Sequence, residues 1–136
     1  MARQGMGALA FPMSCGGQND IGSYMAIFES IAYHDLSLAI KFGVQFGLFG
    51  GAIYNLGTDQ HHQKYLTDCG AGKLLGCFAM TETGHGSNVK DLETTATYDP
   101  KTDAIIVHTP HRNAGKEYIG NALDSKLAAV FAQLIV

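Results

Sequence analysis

Gly76-Cys77-Phe78-Ala79-Met80-Thr81-Glu82-Thr83-Gly84-His85-Gly86-Ser87-Asn88 begins as a short apolar run and then breaks into hydroxyls, glycines and one histidine. The apolar part reads as a buried strand that delivers Thr81 and Glu82 to its end. Gly84 and Gly86 have no Cβ, so this turn can take positive φ and let a ligand approach the main chain closely. Successive N–H groups in such a turn form a nest suited to phosphate, carboxylate or the polar edge of a cofactor ring. A plain turn would use the same residues.

Upstream, the pattern is helical. Residues 5–18 are glycine-rich with Pro12 and read as a loop. Asn19 or Asp20 then offers an N-cap. Ile21, Tyr24, Met25, Phe28, Ile31 and Ala32 recur at three- and four-residue spacing, the apolar stripe of an amphipathic helix, with Glu29 and His34 off it. Asp35 caps a second helix that stays apolar on nearly every face to Tyr54, the pattern of a central bundle helix. Gly43, Gly47 and Gly51 line one face of it, where a neighbouring backbone can pack closely. The same spacing occurs in membrane helix pairs, but Lys41, Gln45 and the glycines argue against a span. Gly57-Thr58 ends this helix and caps a short third one that carries His61, His62, Lys64 and Tyr65. Adjacent histidines on a helix point about 100° apart, so His61 and His62 cannot chelate one ion together. They read as solvated, and no metal site is expected.

Downstream, the pattern turns to β. Residues 93–98 and 104–108 flank a turn holding Asp99, Pro100 and Asp103, the signature of a hairpin. Residues 116–121 read as a short strand and turn, and residues 127–136 as one final strand. That last strand stops on bare Leu134-Ile135-Val136, a poor natural edge, so a longer parent chain is expected. A strand-to-helix Gly-x-Gly-x-x-Gly fingerprint and a Walker loop are both missing, which argues against a Rossmann-type nucleotide site.

The composition is that of a globular chain: 136 residues, 46% hydrophobic and 15% charged. A net charge of −3 with nine scattered basic residues argues against nucleic acid as a partner. Cys15, Cys69 and Cys77 have no metal-type spacing and cannot all pair, so they read as free thiols of a reducing compartment. Cys77, inside an apolar strand, reads as packing. The start, Met1-Ala2-Arg3-Gln4, carries no signal-peptide pattern. On the residues alone, the chain is an α+β domain with a Gly-rich ligand loop.

The wording of that loop says more. Phe78-Ala79-Met80-Thr81-Glu82-Thr83-Gly84-His85-Gly86-Ser87 resembles the flavin-contacting segment of the acyl-CoA dehydrogenase and acyl-CoA oxidase superfamily. The dehydrogenases usually carry Val-Thr-Glu-Pro-Gly-Ala-Gly-Ser, whereas Met-Thr-Glu-x-Gly-His-Gly looks like the oxidase branch. The likeness runs from about Leu9 to the last residue. It implies an α+β fold, with residues 1–72 the end of an N-terminal helical domain and residues 73–136 the start of an antiparallel β domain. It further implies FAD as cofactor and an acyl-CoA thioester as substrate, desaturated between the α and β carbons. The acceptor is oxygen in oxidases or an electron-transfer flavoprotein in dehydrogenases.

The resemblance also assigns roles. Phe78, Met80 and Thr81 would bind the isoalloxazine edge, chiefly through backbone N–H groups, and Gly86 and Ser87 would sit where cofactor and pantetheine arm meet. Ser87 and His85 would contact substrate. Tyr118-Ile119-Gly120 resembles the family's Trp-Ile-Thr, so Tyr118 and Gly120 would flank the flavin. Glycine in place of threonine leaves room that a small oxidant could use. The family's catalytic base is a glutamate of a C-terminal helical domain; Glu82 is expected to order the loop, so no catalytic residue falls in this chain. A homo-oligomer is implied, in peroxisomes or a bacterial cytoplasm. The different-class alternative is a non-catalytic module binding acyl-CoA or a partner.

Overall fold

A computed structural model describes residues 1–136, which fall into two compact units. The first comprises residues 1–78 and 120–129, the second residues 79–119 and 130–136.

The first unit is helical. Residues 5–18, expected as a loop, hold two short 3-10 turns, Met6–Ala8 and Met13–Cys15; a third, Ala2–Gln4, precedes them across left-handed Gly5, and left-handed Gly16 ends the last. The first helix spans Ile21–His34. Asp20 caps it, accepting from the Ser23 N–H at 2.9 Å and the Ser23 hydroxyl at 2.6 Å, which satisfies an otherwise orphaned first-turn donor. Asp35 ends this helix and caps the next through the N–H groups of Ser37 and Leu38. Of the expected stripe, Tyr24 and Ile31 are buried while Ile21 and Met25 are exposed.

The long second helix runs Leu36–Leu56, and by length and composition it is apolar enough to cross a membrane. Its middle, Gly43–Phe49, is a π-helical segment between Leu36–Phe42 and Gly50–Leu56. Such a segment is rare and concentrates at functional sites. The glycine face meets side chains, not the neighbouring backbone that was expected. A Cβ at position 43 would lie 2.9 Å from the Phe28 ring, and one at position 47 would lie 2.7 Å from the Tyr24 hydroxyl. Thr58 opens the third helix with a capping box in which His61 Nδ1 accepts from the Thr58 N–H at 3.0 Å. His62 is half-buried, not solvated, and its Nε2 lies 3.0 Å from the Tyr54 carbonyl.

Two clusters form the core of this unit. Ala8, Phe11, Cys15, Phe49, Leu66 and Cys69 make one, and Leu9, Tyr24, Ile31, Ala39, Phe42 and Phe46 the other. Gln45, buried in the π segment, is the polar exception. Its Nε2 donates to the Leu74 carbonyl at 2.8 Å and its Oε1 accepts from the Gly76 N–H at 3.0 Å. The amide thus stands in for a neighbouring strand at the start of β1 (Gly76–Ala79). β1 pairs with β4 (Leu127–Val130).

The second unit is built on a hairpin. β2 (Thr95–Asp99) and β3 (Ala104–His108) pair antiparallel from Thr95↔His108 to Asp99↔Ala104. Asp99 orders the turn by accepting from the Lys101 N–H and the Thr102 hydroxyl. β5 (Gln133–Ile135) joins the other edge of β2, parallel to it, so the strands are mixed and not wholly antiparallel. Two further expectations are corrected here. The final strand is two strands, β4 and β5, broken at Phe131-Ala132. Residues 116–121 form no strand beyond an isolated bridge at Lys116, because Tyr118 and Asn121 adopt φ of 60° and 67° and leave the extended region.

Candidate functional site

The loop after β1 is organised by one carboxylate. Glu82 is buried to 1% exposure, and burial alone would raise its pKa. Its donors outweigh that. Oε2 accepts from the Glu93 N–H at 2.8 Å, and Oε1 accepts from the Thr94 N–H at 2.9 Å and from Lys116 Nζ at 3.0 Å. Together they hold its pKa down at about 2, so Glu82 is anionic at neutral pH and an acceptor only. Lys116 also donates to the Met80 carbonyl at 3.0 Å, and the Thr94 hydroxyl donates to the Ala114 carbonyl at 3.0 Å.

The main chain of residues 81–85 is pinned as well. The Glu117 N–H donates to the Thr81 carbonyl at 3.2 Å, the Thr83 N–H to Gly115 at 2.9 Å, and the Gly84 N–H to Asn113 at 2.8 Å. Gly84 passes so close that an added Cβ would lie 3.3 Å from the Asn113 carbonyl oxygen. Gly86 differs: nothing lies within 4 Å of the position its Cβ would take. The N–H groups of Gly86 and Ser87 make no hydrogen bond within the chain, and both residues are exposed. The turn therefore has a rigid root and an open tip with two unclaimed donors.

The expected site residues are placed as follows. Thr81 and Met80 are half-buried beside Lys116 and Glu117, which leads directly to Tyr118. Tyr118 is 89% exposed on a backbone with φ of 60°, a costly conformation for a bulky residue. His85 is mostly covered, its Nδ1 lying 3.5 Å from Glu82 Oε2 and 3.6 Å from Glu93 Oε2. Phe78 and Gly120 belong to the first unit. There the expected room at Gly120 is filled, since a Cβ would lie 3.3 Å from both Val44 methyls. Asn121 Nδ2 donates to the Gly76 carbonyl at 3.1 Å, which lays this segment along the start of β1.

Sequence reading missed Lys116, Glu93, Thr94 and Gln45. Their partners are 34, 11, 12 and 31 positions away, and no local pattern marks them. The first unit also carries a shallow, open apolar groove lined by Tyr24, Met25, Phe28, Ile40, Val44 and Leu48 among others. Burial pushes the Tyr24 phenol up to about 12, so it is neutral. An unpaired-donor turn at a strand end can hold an anionic or carbonyl-bearing ligand through fixed N–H groups, without side-chain charge.

The chain is similar to known proteins in sequence and fold. The sequence profile described as "Acyl-CoA dehydrogenase, N-terminal domain" matches residues 1–73. Over 119 residues, 87% of this chain, the sequence is 49% identical to peroxisomal acyl-coenzyme A oxidase 2 of Arabidopsis thaliana, of which it spans only 17%. The crystal structure of acyl-CoA oxidase 1 from Yarrowia lipolytica superposes with a TM-score of 0.70 at 45% identity, over 75% of this chain and 15% of that one. An acyl-CoA dehydrogenase from Bacillus anthracis, solved with FAD, superposes with a TM-score of 0.82 at 25% identity, over 98% of this chain and 22% of that one. The helical first unit that carries the profile, the β elements that follow it and these likenesses agree: the chain belongs to the acyl-CoA dehydrogenase family.

Proposed function

We propose that this chain forms part of an FAD-dependent acyl-CoA oxidase, contributing the flavin-facing edge and no catalytic base. The observation that carries this reading is the turn with a rigid root and two unclaimed N–H donors, at Gly86 and Ser87, in a member of this family. The cofactor is supported by the FAD bound to the Bacillus anthracis relative. The residues here fit such a group. The open tip at Gly86 admits close approach, and the exposed Tyr118 ring offers a flat apolar surface. Under this reading the backbone of Phe78, Met80 and Thr81 holds the isoalloxazine edge, and Gly86 and Ser87 meet the cofactor and the pantetheine arm. Tyr118 and Gly120 flank the ring, and His85 with Ser87 contacts substrate. FAD, when bound, supplies the hydride acceptor for α,β-desaturation of an acyl-CoA thioester.

Glu82 is not the base. Its oxygens are committed to three donors and it stays ionised to about pH 2, too weak a base to take an α-proton. Its part is to orient the loop. The likeness to oxidases supports oxygen as acceptor, and the peroxisomal Arabidopsis relative supports a peroxisomal, in any case intracellular, location. We further take residues 1–72 as the end of a helical domain, residues 73–136 as the start of a β domain, and the full enzyme as a homo-oligomer.

The test is titration of the purified chain with FAD, followed by visible absorption and flavin fluorescence. Saturable binding that weakens in Ser87→Pro, which removes one free donor, is the expected result. Saturable binding that Ser87→Pro and Tyr118→Gly leave unchanged would overturn the assignment of these residues. Absence of hydrogen peroxide on turnover by the full-length protein, with electrons passing only to an electron-transfer flavoprotein, would assign a dehydrogenase.

A further inference from the structure

At the root of the same loop, behind its open tip, three electron-rich atoms of the second unit converge on one gap. They are His85 Nδ1, a Glu82 oxygen and a Glu93 oxygen, all within 4.8 Å of one another. His85 Nδ1 is buried and has no hydrogen-bond partner. At 3.5 and 3.6 Å the two carboxylate oxygens are too far for a good N–H···O bond. The same distances come close to the edge of a tetrahedron around a small ion. Ligands about 2.0–2.1 Å from a zinc ion stand about 3.3–3.4 Å apart.

We propose that His85, Glu93 and Glu82 form a site for a divalent transition-metal ion of zinc type. The scaffold is already in place. The N–H of Glu82 donates to the His85 carbonyl at 3.2 Å and the N–H of His85 returns to Glu82 at 3.0 Å, which fixes these two residues face to face. The Glu93 backbone is held by Glu82 Oε2 itself. His111 Nε2 lies 3.3 Å from Glu93 Oε1, the oxygen turned away from His85, and steadies that carboxylate. Lys116 occupies Glu82 Oε1 only, leaving Oε2 toward the gap. Two carboxylates against one ammonium leave the fixed charges around the gap net negative, which favours a cation. The imidazole nitrogen selects zinc, cobalt or nickel over magnesium or calcium. Glu93, with its side chain 40% exposed, leaves a path for the ion and a water as fourth ligand. The site requires no flavin, so its failure would leave the flavin reading intact.

Calorimetric titration of the protein with Zn²⁺, and Co²⁺ titration followed by visible absorption, test this. One equivalent is expected to bind, at least tenfold more weakly in His85→Ala and in Glu93→Gln but unchanged in His34→Ala. No saturable binding by the native chain, or equal binding by both ligand variants, would overturn the proposal. Because those variants could disturb the loop, Co²⁺ titration of the native protein observed by histidine-selective NMR gives a second reading. The His85 ring is expected to shift first, and even broadening of all six histidines would refute the site.

Discussion

Replacing Glu82 with glutamine tests whether one buried carboxylate orders the loop that follows β1. The charged carboxylate holds two backbone N–H groups and an ammonium. Its pKa falls from an ordinary 4.5 to about 2. At about 1.4 kcal/mol per unit, that drop stabilises the charged, folded arrangement by about 3 kcal/mol. Solvent reaching Lys116, whose side chain is 14% exposed, screens part of this, so about 2 kcal/mol is the working value. Because the folded pKa is depressed, the stabilisation is complete above 4.5 and disappears as pH falls through about 2. Glutamine keeps one oxygen but turns an NH₂ group toward donors and leaves Lys116 without a counter-charge. Amide hydrogen exchange at Glu93 and Thr94 is the assay, since these N–H groups point at Glu82. About 2 kcal/mol corresponds to roughly 30-fold faster exchange at neutral pH in Glu82→Gln. The native protein should lose the same protection between pH 4.5 and 2. Exchange within threefold of the native rate, together with pH-independent protection in that window, would refute the reasoning.

Gln45→Leu is expected to destabilise the first unit by about 2–4 kcal/mol in urea denaturation. It strands the Leu74 carbonyl and the Gly76 N–H, at about 1–3 kcal/mol each. Gly76→Ala should cost about 1–3 kcal/mol, because the new methyl would overlap the buried Phe49 ring. Gly120→Ala, at 3.3 Å from Val44, should cost less than 1 kcal/mol in the same assay, and equal losses would show that packing around β1 is looser than these distances. Tyr118→Gly should raise stability by about 0.5–1 kcal/mol, the relief of a left-handed tyrosine less the extra freedom of the unfolded chain, while weakening FAD binding. A stability loss there would mean that the exposed ring makes contacts beyond this backbone.

Much of the helical half was legible because its determinants are local. Asp20, Asp35 and Thr58 announce helix starts, since a cap and the N–H it satisfies lie within three residues. The hairpin of β2 and β3 was legible for the same reason: Asp99 bonds residues two and three positions on. Membership of a family of known proteins was legible in the wording of the chain.

The tertiary structure alone decided the rest. Which atoms hold Glu82 depends on residues 93, 94 and 116, and hydrogen bonds across such spans follow from how the loops close, not from any periodicity. The same holds for Gln45, whose place on a long apolar helix reads as an interruption until the start of β1 is seen against it. β5 lies parallel to β2 because a break at Phe131-Ala132 lets the chain leave one sheet and enter another, and continuous apolar residues cannot reveal that break. The residue types thus determined where elements begin and what chemistry they can carry. Contacts distant in sequence determined which of those groups meet, because a buried donor or acceptor takes whatever partner the fold brings within reach.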